Sequence, residues 1–130
     1  MSYYFSKELP GVSLKEAIEK VKLSFSKEGF GVQMELDVQK TIKEKINEDI
    51  RNYVILGVCN PRYAFMAISL EEKIGLFLPC NVLVEENKNG NIEVSVVDPF
   101  ASMMAVKNDD LGSVAAEVRQ KLQNAINDIK

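Results

Sequence analysis

The segment Tyr53–Cys59 has the sequence YVILGVC and restricts the possible folds of this chain more than any other segment does. Its seven residues show little alternation between apolar and polar side chains, whereas a strand with one solvated face needs that alternation. Asn60 and Pro61 then stop the strand. The sequence therefore predicts a strand that is buried on both faces and lies centrally in its sheet.

Two amphipathic helices can cover such a sheet. The first is predicted to begin with a capping box formed by Ser13 and Glu16 and to end at Gly29. The last is predicted to have Asn108 or Asp109 as its N-cap. Apolar residues recur at helical spacing in both, namely Leu14, Ala17, Ile18, Val21 and Phe25 in the first and Leu111, Val114, Ala115, Val118, Leu122, Ala125, Ile126 and Ile129 in the last.

The remaining elements are short. Alternation in residues 32–38 predicts a half-buried strand with Met34 and Leu36 on its buried face. The Asn-Gly pair at residues 89–90 predicts a hairpin. Short helices are predicted over residues 40–47 and 61–68, the second with Asn60 as its N-cap. Further strands are predicted at residues 3–9, 81–86 and 91–97.

This order of elements predicts the fold class α+β. Residues 1–130 are expected to form a single domain, in which one antiparallel or mixed sheet of about five strands carries the two main helices on one face. Packing both helices on the same face is the simplest way to bury both apolar stripes.

Composition excludes several classes of function. The 130 residues carry 16 basic and 19 acidic side chains, a net charge of −3, which argues against nucleic acid as a partner. Histidine is absent, so histidine-dependent triads and imidazole metal sites are excluded. No signal peptide or membrane-spanning run is recognisable. We expect a cytoplasmic protein without membrane contact, and a binding domain rather than an enzyme.

The candidate site lies where three strand ends are predicted to meet. One predicted strand ends at a Cys-Asn-Pro sequence, another begins at a Pro-Cys-Asn sequence, and the hairpin returns to the same edge at an aspartate. In this hypothesis the cysteines supply sulfur, the aspartate supplies a charge or a hydrogen-bond acceptor, and the prolines fix the strand ends. The candidate residues are Cys59, Asn60, Pro61, Pro79, Cys80, Asn81 and Asp98.

Several functions are compatible with this site. The preferred interpretation is a binding or sensing domain for a small molecule or a soft metal. Two thiolates are only half of a tetrahedral zinc site, so no complete metal site is predicted, although Cys59 and Cys80 would be its ligands. Cu(I) would accept a further sulfur from Met103 or Met104, but that segment is also typical of core packing or an oligomer contact. A thiol-dependent redox enzyme and a purely structural or interaction domain stay open, and no cofactor is identified.

Several segments together resemble the bacterial and archaeal family known as domain of unknown function 302. The most specific are GVCNP at residues 57–61 and LPCNV at residues 78–82. The resemblance extends from about Tyr3 to Ile126. It implies a compact β-α-β(4)-α fold with a layout like that of the TATA-binding protein, and association as a homodimer. It implies no established activity, and the layout does not imply DNA binding. The other segments that carry the resemblance are residues 31–38, 41–45, 55–56, 74–77, 83–84 and 97–99.

Overall fold

The computed structural model describes residues 2–130. Its strands are β1 (Tyr4–Leu9), β2 (Gly31–Asp37), β3 (Tyr53–Cys59), β4 (Cys80–Glu86) and β5 (Ile92–Val97). Its helices are α1 (Leu14–Ser26), α2 (Val38–Ile46), α3 (Pro61–Leu70), α4 (Pro99–Met103) and α5 (Leu111–Asn127), with a 3-10 turn at Ile74–Phe77. The strands form one antiparallel sheet in the order β1-β5-β4-β3-β2. The predicted α+β class with a single sheet is therefore confirmed.

The main core lies between the sheet and helices α1 and α5. Alternate residues of β3, β4 and β5 face these helices, and Leu56, Val82 and Val94 are fully buried there. Val21 and Phe25 of α1 and Leu122 of α5 meet them from the other side. Both predicted apolar stripes are thus buried on one face of the sheet, where removal of apolar surface from water stabilises the fold.

Local sequence signals fixed some boundaries and missed others. The capping box at Ser13 and Glu16 is present. The hairpin turns at residues 87–90, with Gly90 at a φ of +80°. Helix α1 ends at Ser26, three residues before the predicted end at Gly29. A turn follows the helix, and Gly29 adopts the left-handed conformation within that turn. Helix α4 had no counterpart in the sequence prediction.

The predicted cap of the last helix was wrong. Helix α5 has Asp110 as its N-cap, and no side chain caps it. The Asn108 side chain instead donates to the backbone oxygen of Leu70 and to the Glu71 carboxylate, and its own oxygen accepts from the Asp110 amide. Asn108 therefore connects the loop before α5 to the end of α3.

The second face of the sheet is uncovered. The prediction that β3 is buried on both faces was wrong for the single chain, since Ile55 is only half-buried on that face. Met34 and Leu36, predicted to be buried, are 55% and 50% exposed. A bulge between Val32 and Met34 shifts the β2 register, so these two side chains lie opposite Gly57 and Ile55 on the uncovered side. Within residues 2–130, none of the helices is long and apolar enough to cross a membrane.

Candidate functional site

A cleft opens between the helix-facing side of the sheet and α3, α4 and α5, and we call it the cysteine cleft. It begins where β3 ends and β4 starts, and the 3-10 turn forms part of its rim. The space inside it that a water-sized molecule can occupy is about 60 Å³. Its wall is formed by Phe30, Val58, Cys59, Asn60, Tyr63, Ala64, Ala67, Ile74, Phe77, Leu78, Pro79, Cys80, Val97, Pro99, Ser102, Met103, Leu111, Val114, Ala115 and Val118.

The wall of the cysteine cleft is almost entirely apolar. Among the described residues that form it, there is no aspartate, glutamate, lysine or arginine. Apart from the two cysteines, the polar side chains are those of Asn60, Tyr63 and Ser102. A charged ligand would therefore lose its hydration in this cleft without gaining an opposite charge.

The two cysteines both contribute to the wall but do not form a disulfide. Cys80 lies directly opposite Val58 in the β3–β4 ladder, and Cys59 is the next residue along β3. Because side chains alternate along a strand, Cys80 faces the helices and Cys59 starts from the other face. Cys80 accordingly packs against the main core, whereas Cys59 lies where β3 ends, opposite Gly31 of the edge strand.

The position of Cys80 determines its chemistry. Burial raises the pKa of Cys80 to about 11, and the nearby Cys59 thiol adds to the increase through like-charge repulsion. The Cys80 thiol is therefore protonated near neutral pH. A protonated, half-buried thiol is a poor nucleophile and has to lose its proton before it can bind a metal.

Asn60 has a structural role that differs from the predicted one. Its side chain does not cap α3, and its Nδ2 donates to the backbone oxygen of Glu28 at 3.2 Å. A Cβ atom at Gly29 would lie 2.8 Å from that nitrogen. The hydrogen bond therefore needs glycine at position 29, and it connects the turn after α1 to the mouth of the cleft.

Comparison with known proteins identifies the family. The model of the domain of unknown function DUF302 matches residues 5–129. The chain belongs to the DUF302 family. It is also similar to a solved structure described as an uncharacterized conserved protein DUF302 from Bacillus stearothermophilus, with a TM-score of 0.92, 25% sequence identity and full coverage of both chains. No curated protein matches the chain in sequence.

Three of the predicted site residues of this DUF302 chain lie outside the cleft wall. Pro61 is exposed at the first turn of α3. Asn81 is exposed on the uncovered face of the sheet, because it follows Cys80 in the alternation of β4. The four residues that the cleft does bring together are Cys59, Asn60, Pro79 and Cys80.

Asp98, the third predicted site residue outside the cleft wall, is buried and makes structural contacts. Its carboxylate accepts from the Phe100 amide at the start of α4 and from Arg119 Nε at 3.1 and 3.2 Å. The Arg119 guanidinium also lies over the rings of Phe5 and Phe100, at 5.1 and 5.3 Å from their centroids. Asp98 therefore fixes α4 against α5 and does not reach the cleft.

Sequence reasoning missed most of the far wall of the cleft in this DUF302 chain. Tyr63 and Ala67, four residues apart on α3, and Ser102 on α4 form part of it, together with Met103, which had been named only as a possible sulfur ligand for Cu(I). The i, i+4 spacing on α3 was the one available signal. In residues 2–130, no group of three or more cysteine or carboxylate side chains could hold a metal ion.

Proposed function

We propose that this DUF302 chain binds a small, uncharged and largely apolar molecule in the cysteine cleft. The observation that carries the proposal is the wall itself, in which apolar side chains from six elements surround a cleft without any carboxylate or basic group. Small-molecule sites are typically concave and mostly apolar, with a few polar groups that orient the ligand.

The polar groups of the wall suit one neutral polar function on the ligand. Among the described residues, the hydroxyl groups of Tyr63 and Ser102 make no hydrogen bond to the protein, and the Asn60 amide oxygen accepts none. A ligand hydroxyl or carbonyl could pair with these groups while its hydrocarbon part contacts Val58 and Val114. The ligand class is therefore an apolar molecule that carries a single hydroxyl or carbonyl.

The size of the cleft requires it to widen when it binds such a molecule. The present space of about 60 Å³ holds a few waters, whereas benzene occupies an engineered cavity of about 150 Å³. The chain between α3 and β4 is the part best suited to move, since its backbone hydrogen bonds join residues only three apart, such as Leu76 to Lys73 and Leu78 to Gly75.

A soft metal ion is the second candidate. The sulfur-containing side chains of Cys59, Cys80 and Met103 all belong to the wall, and sulfur ligands favour Cu(I). The raised pKa of Cys80 counts against it, because Cu(I) would have to displace a proton that is held up to about pH 11. The same property argues against a redox enzyme that uses the Cys80 thiolate.

The test uses fluorobenzene and fluorobenzoate as matched probes, followed by ¹⁹F NMR. Fluorobenzene should bind to the folded chain, and fluorobenzoate should not, because only the second carries a charge. Replacing Ala115, which lines the cleft, by leucine should weaken fluorobenzene binding about tenfold or more. The control is Ala116→Leu on the exposed side of α5, which should leave binding unchanged.

Two results would decide against the proposal. The first is the absence of fluorobenzene binding at millimolar probe, and the second is equal binding by the Ala115→Leu and Ala116→Leu variants. Ala64→Leu, at a half-buried position of the wall, provides a second filling variant if Ala115→Leu does not fold. Anaerobic titration with Cu(I) separates the candidates, since binding of Cu(I) that Cys80→Ser abolishes, without fluorobenzene binding, would favour the metal.

A further inference from the structure

The uncovered face of the sheet is hollow at its centre, and we call this concave region the sheet hollow. It contains about 470 Å³ of space that water-sized molecules can occupy, against about 60 Å³ in the cysteine cleft. Ile55, Leu83 and Ser95 form its floor, directly opposite one another on β3, β4 and β5. Small-molecule sites typically measure about 300–1,000 Å³. The sheet hollow therefore has room for a ligand as it stands.

The two ends of the sheet hollow differ in chemistry. At one end, Glu85 and Glu93 lie directly opposite each other on β4 and β5, and Tyr53 lies opposite Glu85 on β3. At the other end, the rings of Tyr3 and Tyr4 meet edge to face, with centroids 5.0 Å apart. The two ends are four strand residues apart, or about 13 Å. A ligand that fits both ends is charged on one side and aromatic on the other.

The acidic end of the sheet hollow carries an excess of negative charge. Glu8 lies opposite Glu93 in the ladder, and Glu85 continues the same row. Arg51 neutralises Glu85 through hydrogen bonds of 2.8 and 2.9 Å to one oxygen. Among the described contacts, Glu93 accepts only from the neutral amide of Asn87, at 3.2 Å. The described residues that line the hollow include no lysine or arginine. This end therefore attracts a cation and repels an anion.

The aromatic rings favour a cationic ligand in a second way. Tyr53 lines the sheet hollow, and the Arg51 guanidinium already lies 5.0 Å from the centroid of its ring. Cations within about 6 Å of an aromatic face are attracted to its π electrons. Tyr3 and Tyr4 supply two further rings at the opposite end. The tyrosines thus attract an ammonium group without adding charge of their own.

We propose that the sheet hollow binds a small organic ammonium ion with an aromatic body, an arylalkylamine. The ammonium group donates hydrogen bonds to Glu93 and to the second oxygen of Glu85, which has no donor within the described contacts. The ring lies over Leu83, toward the Tyr3–Tyr4 pair. This site is separate from the cysteine cleft, because the two lie on opposite faces of the sheet and select opposite kinds of ligand.

Other occupants fit the sheet hollow less well. Divalent cations of the calcium and magnesium type need about six or more oxygen ligands, and within residues 2–130 no group of three or more cysteine or carboxylate side chains could hold a metal ion. A neutral apolar molecule would take Glu93 out of water without supplying a hydrogen-bond donor. An arylalkylamine covers the apolar floor and also pairs with the carboxylates.

The test follows para-fluorophenethylamine by ¹⁹F NMR. The amine should bind to the folded chain with a dissociation constant of about 1 mM or lower, and added sodium chloride should weaken binding because exposed charges are screened. Glu93→Gln should weaken binding about fivefold or more, because it removes one charge from the acidic end. The control is Glu117→Gln, an exposed position of α5 behind the sheet. It makes the same change in net charge and should leave binding unchanged.

Two filling variants show which face of the sheet binds the amine. Ser95→Leu places bulk on the floor of the sheet hollow and should weaken amine binding about tenfold or more. Ala115→Leu fills the cysteine cleft instead and should leave amine binding unchanged. Loss of binding in Ala115→Leu but not in Ser95→Leu would place the amine in the cleft and contradict the proposal. If Ser95→Leu does not fold, the comparison of Glu93→Gln with Glu117→Gln still decides.

Competition separates recognition of the amine from simple attraction of charge. Unlabelled phenethylamine should displace the probe, and ethylamine should compete about tenfold less well, because it has the charge without the ring. Equal competition by the two amines would overturn the proposal, and so would equal weakening by Glu93→Gln and Glu117→Gln. Absence of binding at about 5 mM probe would also overturn it, including the case in which sedimentation velocity shows that a second copy covers this face.

Discussion

The two faces of the sheet show how the same strands serve two different environments. On the covered face, Leu56 of β3 is fully buried among residues of α1 and α5. On the uncovered face of the sheet, called the open face below, its neighbour Ile55 is half-buried and lies opposite residues of the two adjacent strands. Both positions are apolar in the sequence, so the difference arises from which face the helices cover and not from the composition of the strand.

The largest expected effect on stability comes from truncating the neighbouring residues Leu56 and Ile55 to alanine. Leu56→Ala should lower the free energy of unfolding by about 2–5 kcal/mol, because it leaves a cavity in a closely packed core. Ile55→Ala should cost about 1 kcal/mol or less, because part of its surface is already in water. Urea denaturation at low protein concentration measures both. Equal losses would mean that the open face is as tightly packed as the covered one.

A glycine substitution tests how closely the open face is packed around Gly57, which lies opposite Asn81 in the ladder between β3 and β4. A Cβ atom at Gly57 would lie 2.6 Å from Pro79 Cγ and 3.3 Å from Met34 Cε. Gly57→Ala should therefore destabilise the protein by about 1–3 kcal/mol, through overpacking against a rigid ring. Gly112→Ala in α5 is the matched control, since nothing lies within 4 Å of the added atom. It should stabilise the protein by up to about 1 kcal/mol.

The pH dependence of stability tests the raised pKa of Cys80. Burial raises the pKa of Cys80 from 9.0 to about 11. Between these values the folded chain holds a proton that the unfolded chain has released, so stability falls as pH rises, by up to about 1 kcal/mol per pH unit. Denaturation from pH 8.5 to 10.5 should show this slope in Cys59→Ser and lack it in Cys80→Ala. The same slope in both variants would assign the loss to other groups.

The smallest expected difference in stability is between variants of two arginine–carboxylate pairs, one associated with each face of the sheet. Arg119 pairs with buried Asp98, and Arg51 pairs with Glu85 and lies 5.0 Å over the ring of Tyr53. Arg119→Met should cost about 1–3 kcal/mol, because it leaves a buried carboxylate without its cation. Arg51→Met should cost less than about 1 kcal/mol, since 52% of the Arg51 side chain is exposed to solvent. Thermal unfolding measures both losses of stability. A larger loss for Arg51→Met than for Arg119→Met would contradict the expectation.

Much of the fold could be predicted because its signals are local. The capping box needs only Ser13 and Glu16, the hairpin needs a turn sequence, and the stripe of α5 needs only its own spacing. The fold class followed from these elements, because two amphipathic helices and a set of strands have few ways to bury their apolar faces.

The placement of residues departs from the sequence-based expectation where a contact with a distant residue decides it, while the assignment of a site to these residues stays a prediction. Asn60 has the residue type of a helix cap, but its amide bonds to Glu28, 32 residues away. Asp98 was predicted in the site because its strand end is at the correct edge, yet Arg119 attracts its carboxylate elsewhere. Asn81 lies outside the cleft because alternation along β4 points it to the other face. Periodicity predicts which residues share a face but not what covers that face.

The two free thiols in the wall of the cysteine cleft make the redox state of the purified protein part of every binding measurement. Oxidation of either sulfur would add polar atoms to a wall that is otherwise almost entirely apolar. Samples for the probe experiments therefore need a reductant, and mass spectrometry before and after each titration would show whether the thiols had stayed intact.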